Sequence, residues 1–351
     1  MAINLAAKYS DKIAAVFVKE SLVSGKLSNA YDFIGAKTVK IYTPQTVEMS
    51  DYDKSAETNR YGKPKEMQDV IQELTLSQDK SFSLTIDKGN NIDQMNTKGA
   101  MEMLGRQVKE RAIPAQDKHT LEVLSKRAGN IVANASALTK ANVCERISTG
   151  TQTLDDAEIP DTDRWLFVSS LTYKYLRLSD EFMKVDSMAK ESLEKGVVGM
   201  YDNMSVVKIP AARWPSNVNF IICHKSSATS PSKISETKCH KDPPGISGNL
   251  LEGRFYYDCF VLAARCNGVY AEIDASQGKG VVCAAPTQTN GTFASTTAGA
   301  SFKYTDDGSD PRYSLTAKAE STESAAAGTV IRVYAYKTGN FDSAVFTYTA
   351  Q

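Results

Sequence analysis

The strongest hydrophobic pattern in the chain lies between residues 240 and 273. Phe255, Tyr257, Cys259, Val261 and Ala263 recur at period two on one face, with Tyr256, Phe260 and Leu262 on the other. Apolar residues on both faces predict a long strand buried on both sides inside a sheet. Asn267-Gly268 predicts a tight turn, and Val269, Tyr270 and Ile273 a returning strand.

Upstream, residues 3–24 carry Leu5, Tyr9, Ile13, Val16 and Phe17 at helical spacing, which predicts an amphipathic helix stopping at Gly25. A short strand falls within 37–47, and the polar, mixed-charge stretch 48–66 predicts a loop. Val70, Gln72, Leu74 and Leu76 alternate, Gln78-Asp79-Lys80 reads as a turn, and Phe82, Leu84 and Ile86 alternate again. This is the pattern of a long hairpin, which is marginal alone and must lie on something. Residues 91–112 predict the longest helix, capped by Asn91 with Gln94 reaching back. Its apolar stripe is Ala100, Met101, Leu104, Val108 and Ala112. Pro114 opens a second helix with Leu121 and Leu124 inward, closing at Gly129. Residues 130–160 predict a helix. Beyond them come a strand at 165–168, a helix near 171–179, a flexible stretch with Gly196 and Gly199, and strands at 204–210, 218–223 and 233–240.

Residues 274–283 are small and glycine-rich and predict a linker. The composition then shifts. Residues 284–351 are rich in Thr, Ala, Ser and Tyr and lack Met, Trp, His and Cys. Phe302 and Tyr304 alternate before the turn signal Asp306-Asp307-Gly308. Val330, Arg332, Tyr334 and Tyr336 oppose Ile331, Val333 and Ala335, and Ala344, Phe346 and Tyr348 follow. Short alternating strands of this kind predict a small β-sandwich.

The chain has 351 residues, enough for two or three domains, with 41 Lys+Arg against 41 Asp+Glu. Zero net charge does not advertise a basic nucleic-acid surface. No apolar run approaches the ~20 residues that span a bilayer, and the first residues lack a signal-peptide pattern, so cytosolic synthesis is expected. Six cysteines lack framework spacing and are expected to be reduced, buried and structural. Cys223-His224 and Cys239-His240 invite a zinc reading, but neighbours on a strand point to opposite faces. The methionines Met95, Met101 and Met103 read as core filler. No phosphate-binding loop is present, and neither Asp155-Asp156 nor Asp306, Asp307 and Asp310 forms a catalytic or calcium-binding pattern. No catalytic residue, cofactor or metal is expected.

Three groups of residues carry a family resemblance. Asp242-Pro243-Pro244-Gly245-Ile246-Ser247-Gly248, Glu252-Gly253-Arg254-Phe255-Tyr256-Tyr257-Asp258 and Phe260-Val261-Leu262 resemble the closing segment of tailed-bacteriophage major capsid proteins of the Hong Kong 97 type. Asn219-Phe220-Ile221-Ile222-Cys223-His224-Lys225 with Ser230-Pro231-Ser232-Lys233 looks like the preceding strand and loop. Asp163-Arg164-Trp165-Leu166-Phe167-Val168-Ser169 with Tyr173-Lys174-Tyr175-Leu176 is similar to the family's strand-then-helix. The resemblance covers roughly residues 1–280. Separately, the run from Phe302 to Pro311 with that from Thr329 to Tyr336 resembles the immunoglobulin-like module at the C-terminus of chitobiases.

The resemblance implies an α+β fold of the Hong Kong 97 type plus a C-terminal all-β immunoglobulin-like sandwich. Its divisions would be an N-terminal arm (1–36), an extended hairpin loop (37–90), a spine helix with the peripheral domain (91–137), an axial domain (138–278) and a surface domain (284–351). It implies self-assembly through pentamers and hexamers into an icosahedral shell around double-stranded DNA, a container rather than a condenser. A separate scaffolding protein and a portal would be partners, and the chain would be made in the host bacterial cytoplasm. Candidate assembly contacts are Tyr9, Ile13, Phe17, Val70, Leu74, Phe82, Leu84, Asp242, Pro243, Glu252 and Arg254. Arm and hairpin would bury their apolar faces only in the assembled state. The alternatives are an encapsulin-like cargo shell and a glycan-binding adhesin or tail protein, the latter needing exposed aromatics such as Tyr334 or Tyr336.

Overall fold

The structure, a computed structural model, describes residues 21–23, 25–31, 33, 37–44, 46, 49, 51–55, 57–62, 69–93, 99–179 and 197–350. In chain order, strands β1 (Thr38–Pro44), β2 (Asp69–Thr75) and β3 (Gln78–Asp87) precede helices α1 (Lys88–Asp93), α2 (Ala100–Gln107) and α3 (Ile113–Lys126). Then come β4 (Asn130–Asn134), α4 (Val143–Asp156), β5 (Arg164–Ser169), α5 (Ser170–Arg177), β6 (Val197–Tyr201), β7 (Met204–Ile209) and β8 (Val218–His224). Strands β9 (Ala228–Thr229), β10 (Ser232–Lys241), β11 (Gly248–Tyr257), β12 (Phe260–Val261) and β13 (Val269–Asp274) complete the main body. The C-terminal part holds β14 (Thr287–Thr289), β15 (Thr292–Ala294), β16 (Ser301–Thr305), β17 (Val330–Tyr336) and β18 (Phe346–Thr349).

A six-stranded sheet in the order β4-β13-β8-β5-β7-β6 forms the centre. It is mixed: β13 runs parallel to β4 and β5 parallel to β7, while the other pairs are antiparallel. Its strands bury both faces. Phe167, Val207, Ile221, Val269 and Ala271 meet Leu121 and Leu124 of α3 on one side. Leu166, Val168, Val206, Phe220, Ile222 and Tyr270 meet Val143, Ile147 and Leu154 of α4 and Leu176 of α5 on the other. Two-sided burial is why Trp165–Val168 and Val218–Cys223 read as unbroken apolar runs.

A second sheet, β10-β11-β3, is antiparallel throughout. Helix α2 covers one of its faces, with Leu104 set against Ile86 and Leu251. Strands β1 and β2 form a separate two-stranded ribbon, and β9 pairs with β12. The C-terminal part has a two-stranded and a three-stranded sheet around its own core of Phe293, Tyr304, Ile331, Val333 and Ala350.

Several expectations are corrected. The runs at 70–76 and 82–86 are strands but do not form a hairpin with each other. Strand β2 pairs with β1, β3 pairs with β11, and Gln78-Asp79-Lys80 begins β3 instead of turning. The pattern at 255–263 is likewise not one strand: β11 stops at Tyr257, and Asn267-Gly268 closes a 3₁₀ segment, Ala263–Gly268. The return strand β13 joins the other sheet, so the organising strands buried on both sides are β5, β8 and β13.

Helix α2 continues through a π-helical turn, Val108–Ala112, into α3. Pro114 lacks an N–H and its ring crowds the carbonyl four residues back, so the widened turn just before it absorbs the proline within one long helix. Asn91 sits inside α1, not at a cap, and Met101 is 70% exposed while Met103 packs inward. Met95 lies outside the described residues. The predicted helix 130–160 begins as strand β4, whose parallel pairing with distant β13 overrides local pattern, and becomes helical only at Val143. Gly199 belongs to strand β6, and Gly196 lies outside the described residues. Residues 274–283 are not a loose tether: Gly280 donates to the Asp274 carbonyl, a Cβ on Gly280 would strike Ile273, and Cys283 is buried. Cys239 is exposed, unlike the other five cysteines. Asp306-Asp307-Gly308 does not join paired strands, because β16 pairs with the distant β17.

Candidate functional site

The described residues present no catalytic constellation, so the chemistry of the surfaces has to be read from exposure and pairing. Burial pushes the Cys223 thiol up to about 12 and the Cys259 thiol well above its ordinary value, which keeps both protonated and unreactive near neutral pH. No group of three or more His, Cys, Asp or Glu stands where it could hold a metal among the described residues. No described helix is long and apolar enough to cross a membrane.

Tyr9, Ile13 and Phe17 lie outside the described residues. The segment that follows them is fixed to α3. Ser21 Oγ donates to Asp117 Oδ1 at 2.6 Å and the Leu22 N–H to Asp117 Oδ2 at 3.1 Å. Asp117 is also paired with buried Arg213 at 2.7 Å, so its charge is compensated where it is desolvated. Leu22, Val23 and Leu27 then enter the main core.

The ribbon is pinned at its base and open along its length. Gln72, 7% exposed, donates from Nε2 to the Val261 carbonyl at 2.9 Å and accepts from the Ala263 N–H at 2.8 Å. Leu74 is buried with Phe33, Leu76 and Leu262. It fills its own chain's core and does not wait for a neighbour, which corrects the expectation of an apolar face buried only on assembly. Val70 is half-buried opposite Thr43. Further out, Tyr42, Met49 and Tyr61 are exposed, and Tyr52 and Tyr61 stack edge-on at 4.9 Å. The polar reading of 48–66 missed these groups; three large apolar side chains within a charged loop were the available signal.

One buried carboxylate ties this base together. Asp258 Oδ2 accepts from the Ser77 N–H at 2.8 Å and Ser77 Oγ at 2.7 Å, while Oδ1 accepts from the Cys259 N–H and pairs with His119 Nε2, each at 2.8 Å. Burial pushes its pKa up, but the hydrogen bonds from His119, Ser77 and Cys259 outweigh burial and hold it below the usual carboxylate value. Asp258 therefore sits where β2 hands over to β3, where β11 ends, and against α3. Neither Asp117 nor Asp258 was a candidate from the sequence as an anchor.

The second sheet brings together four candidates. Phe82 stacks on Phe255 at 6.2 Å across Gly253, where a Cβ would come within 2.4 Å of the ring. Leu84 continues that apolar face and is exposed. The opposite face is open and polar. Arg254 grips Asp79 with two bonds, 3.0 and 2.7 Å, His240 meets Glu252 at 3.3 Å and Lys238 meets Glu236 at 3.3 Å. The Arg254 hydrogen bond holds the Asp79 carboxyl below its ordinary value. Asp242 and Pro243 shape the turn between β10 and β11. Asp242 has φ 46°, and its carboxylate accepts from the Gly248 N–H at 3.0 Å. Tyr334, by contrast, is buried and Tyr336 half-buried, so the C-terminal part shows no flat aromatic face at those positions.

Comparison of the sequence with protein-family models and with curated proteins finds no match. Comparison with solved structures does. A chain from Mycobacterium phage Che8 superposes with a TM-score of 0.62 at 17% identity, covering 79% of this chain and 100% of that one. The capsid of cyanophage P-SCSP1u gives 0.59 at 10% identity, covering 78% and 94%. The mature capsid of bacteriophage PhiM1 gives 0.59 at 15%, covering 77% and 92%. The mixed α+β fold of this chain is the fold found in these phage structures, two of which are capsids.

Proposed function

We propose that the chain is a structural subunit that self-assembles into the icosahedral capsid of a tailed bacteriophage and encloses its double-stranded DNA. The carrying observation is that the fold runs through nearly the whole of the phage chains it resembles. On this reading the arm spans residues 1–36, the ribbon is the extended element, the α2–α3 helix with the second sheet is the peripheral part, and the six-stranded sheet is the axial part. Residues 284–351 are an immunoglobulin-like addition on the outer surface, close in size to the share of this chain that the phage chains leave uncovered. Pentamers and hexamers, a scaffolding protein and a portal complete the assembly. The exposed aromatic and apolar groups of the ribbon, Leu84 and the polar face around Glu252 and Arg254 are the contacts proposed to meet neighbouring subunits.

Expression of the full chain with and without the neighbouring phage genes, followed by light scattering and negative-stain microscopy, tests this. Shells or capsomer rings are the expected products, and Leu84→Asp should fold like the parent yet fail to assemble. A folded chain that stays monomeric at every concentration with the scaffold present would overturn the reading.

A further inference from the structure

Residues 310–314 of the C-terminal module fasten it to the rest of the chain largely through buried polar groups. Arg312 reaches out of the module and donates from Nη1 to the carbonyls of Ala128 and Gly129, at 3.1 and 2.9 Å. These carbonyls lie just past the C-terminus of α3, where the helix itself supplies no donors. The cation also sits at the negative end of the helix dipole. Asp310 holds the guanidinium from behind at 2.8 Å through Nη2, and both side chains are less than one-tenth exposed. Tyr313 Oη donates to the next carbonyl, that of Arg127, at 2.6 Å. Three successive carbonyls at the helix exit are thus taken by two neighbouring side chains of the module.

The same stretch reaches two further places. Cys266 Sγ lies 3.9 Å from Asp310 Oδ2, in the 3₁₀ segment that leads into β13. Ser314 makes a backbone bridge to Gln72 of the ribbon strand β2. Gln72 is the residue whose side chain pins the ribbon to Val261 and Ala263. Around this stretch, Tyr313 and Phe341 pack on the main core, Phe341 exchanges backbone bonds with Val281 and Cys283, and Asp342 pairs with Arg127 at 3.3 Å.

We infer that residues 310–314 form an intramolecular clamp that locks the exit of α3 and the base of the ribbon into one unit, so the module braces the subunit. A decoration hung on a tether would need none of these contacts. The buried Asp310–Arg312 pair is costly to desolvate unless its remaining donors are satisfied, and the Ala128 and Gly129 carbonyls of the body accept from Nη1. The module and the body therefore complete each other's hydrogen bonding. The clamp acts within one chain, whether or not shells form.

Hydrogen–deuterium exchange on the full, unassembled chain tests it. In Arg312→Met, amides of 69–75 and 127–134 should exchange roughly tenfold faster or more, while 330–336 and 346–349 keep their protection. Unchanged exchange in 69–75 and 127–134 would overturn the clamp, as would loss of protection confined to the module's own strands. If Arg312→Met does not fold, Arg312→Lys and Tyr313→Phe take its place. Lysine keeps the charge without the fork, and phenylalanine keeps the ring without the donor. Each should raise exchange in the same two stretches by a smaller factor, and no rise in either would sink the inference.

Discussion

The six-stranded sheet and the β10-β11-β3 sheet reach opposite conditions, the first from strands of 5 to 7 residues and the second from strands of 10. The first is covered on both faces, by α3 on one side and by α4 and α5 on the other, and the residues of its four inner strands, β13, β8, β5 and β7, are mostly buried. The second is covered by α2 on one face and leaves the other to water, lined with Lys238, Glu236, His240, Glu252, Arg254 and Asp79. Among the described residues, no further strand pairs with its outer strands, β3 and β10. Hydrophobic burial makes the first a self-sufficient core. Alternating charge on an open face, with Leu84 exposed on the opposite, apolar face, makes the second a place where stability and contact with other molecules are separable.

The largest test of that difference is a cavity in the first sheet. Phe220 is fully buried and stacks on Tyr270 at 6.0 Å. Phe220→Ala should cost about 3–5 kcal/mol, a large fraction of a typical domain's stability. Denaturant unfolding should show a large drop in midpoint. Leu84→Ala in the second sheet should move the midpoint far less, because part of that side chain is already in water. Equal losses at the two sites would remove the distinction.

The next test lies at the junction between the two regions. Asp258→Asn removes the charge from a carboxylate that accepts four bonds, and should cost about 1–3 kcal/mol at neutral pH. The pH dependence follows from its lowered pKa. The native state holds Asp258 ionised more strongly than the unfolded chain does, so its contribution is complete above the unfolded value of 3.8 and is lost as pH falls through the lower native value. Glu272 has the opposite sign. Burial raises its pKa despite bonds from Asn219 and Arg146, so its unfavourable ionisation is relieved as pH falls through that raised value. Unfolding midpoints measured from pH 7 down to about pH 3 should therefore fall less steeply below the ordinary carboxylate range in Asp258→Asn than in the parent. An unchanged acid slope would show that Asp258 is not the titrating tie.

The strands of the six-stranded sheet were legible because burial on both sides leaves an unbroken apolar run, as at Trp165–Val168 and Val218–Cys223. What they pair with was not. Strand β4 has only Ile131 and Val132 to mark it, and its partner β13 is remote in the chain. The ribbon was misread for the same reason: β1 and β2 are separated by a long polar loop, while β2 and β3 are adjacent in sequence and unpaired in space. The anchors Asp117, Asp258 and Arg312 are single polar residues without any local pattern. Each acquires its role from partners supplied by other elements. The second sheet's candidates were found through a resemblance in sequence, and four of them, Phe82, Leu84, Glu252 and Arg254, fall on one sheet.

The smallest effect on folding is expected at Arg254. Its two-pronged bond to Asp79 joins the central strand β11 to the edge strand β3, and both side chains are well exposed. Water and salt screen such a pair, and holding two long side chains in one geometry offsets much of the attraction. Arg254→Gln should leave the unfolding midpoint of the isolated chain where it is. If the open face meets neighbouring subunits, the same change should lower the yield of assembled particles and alter its dependence on salt, because charges across an interface set encounter and register. A midpoint drop comparable to that of Asp258→Asn would mean that the open face carries the chain's own stability, and the two sheets would then differ in pattern but not in role.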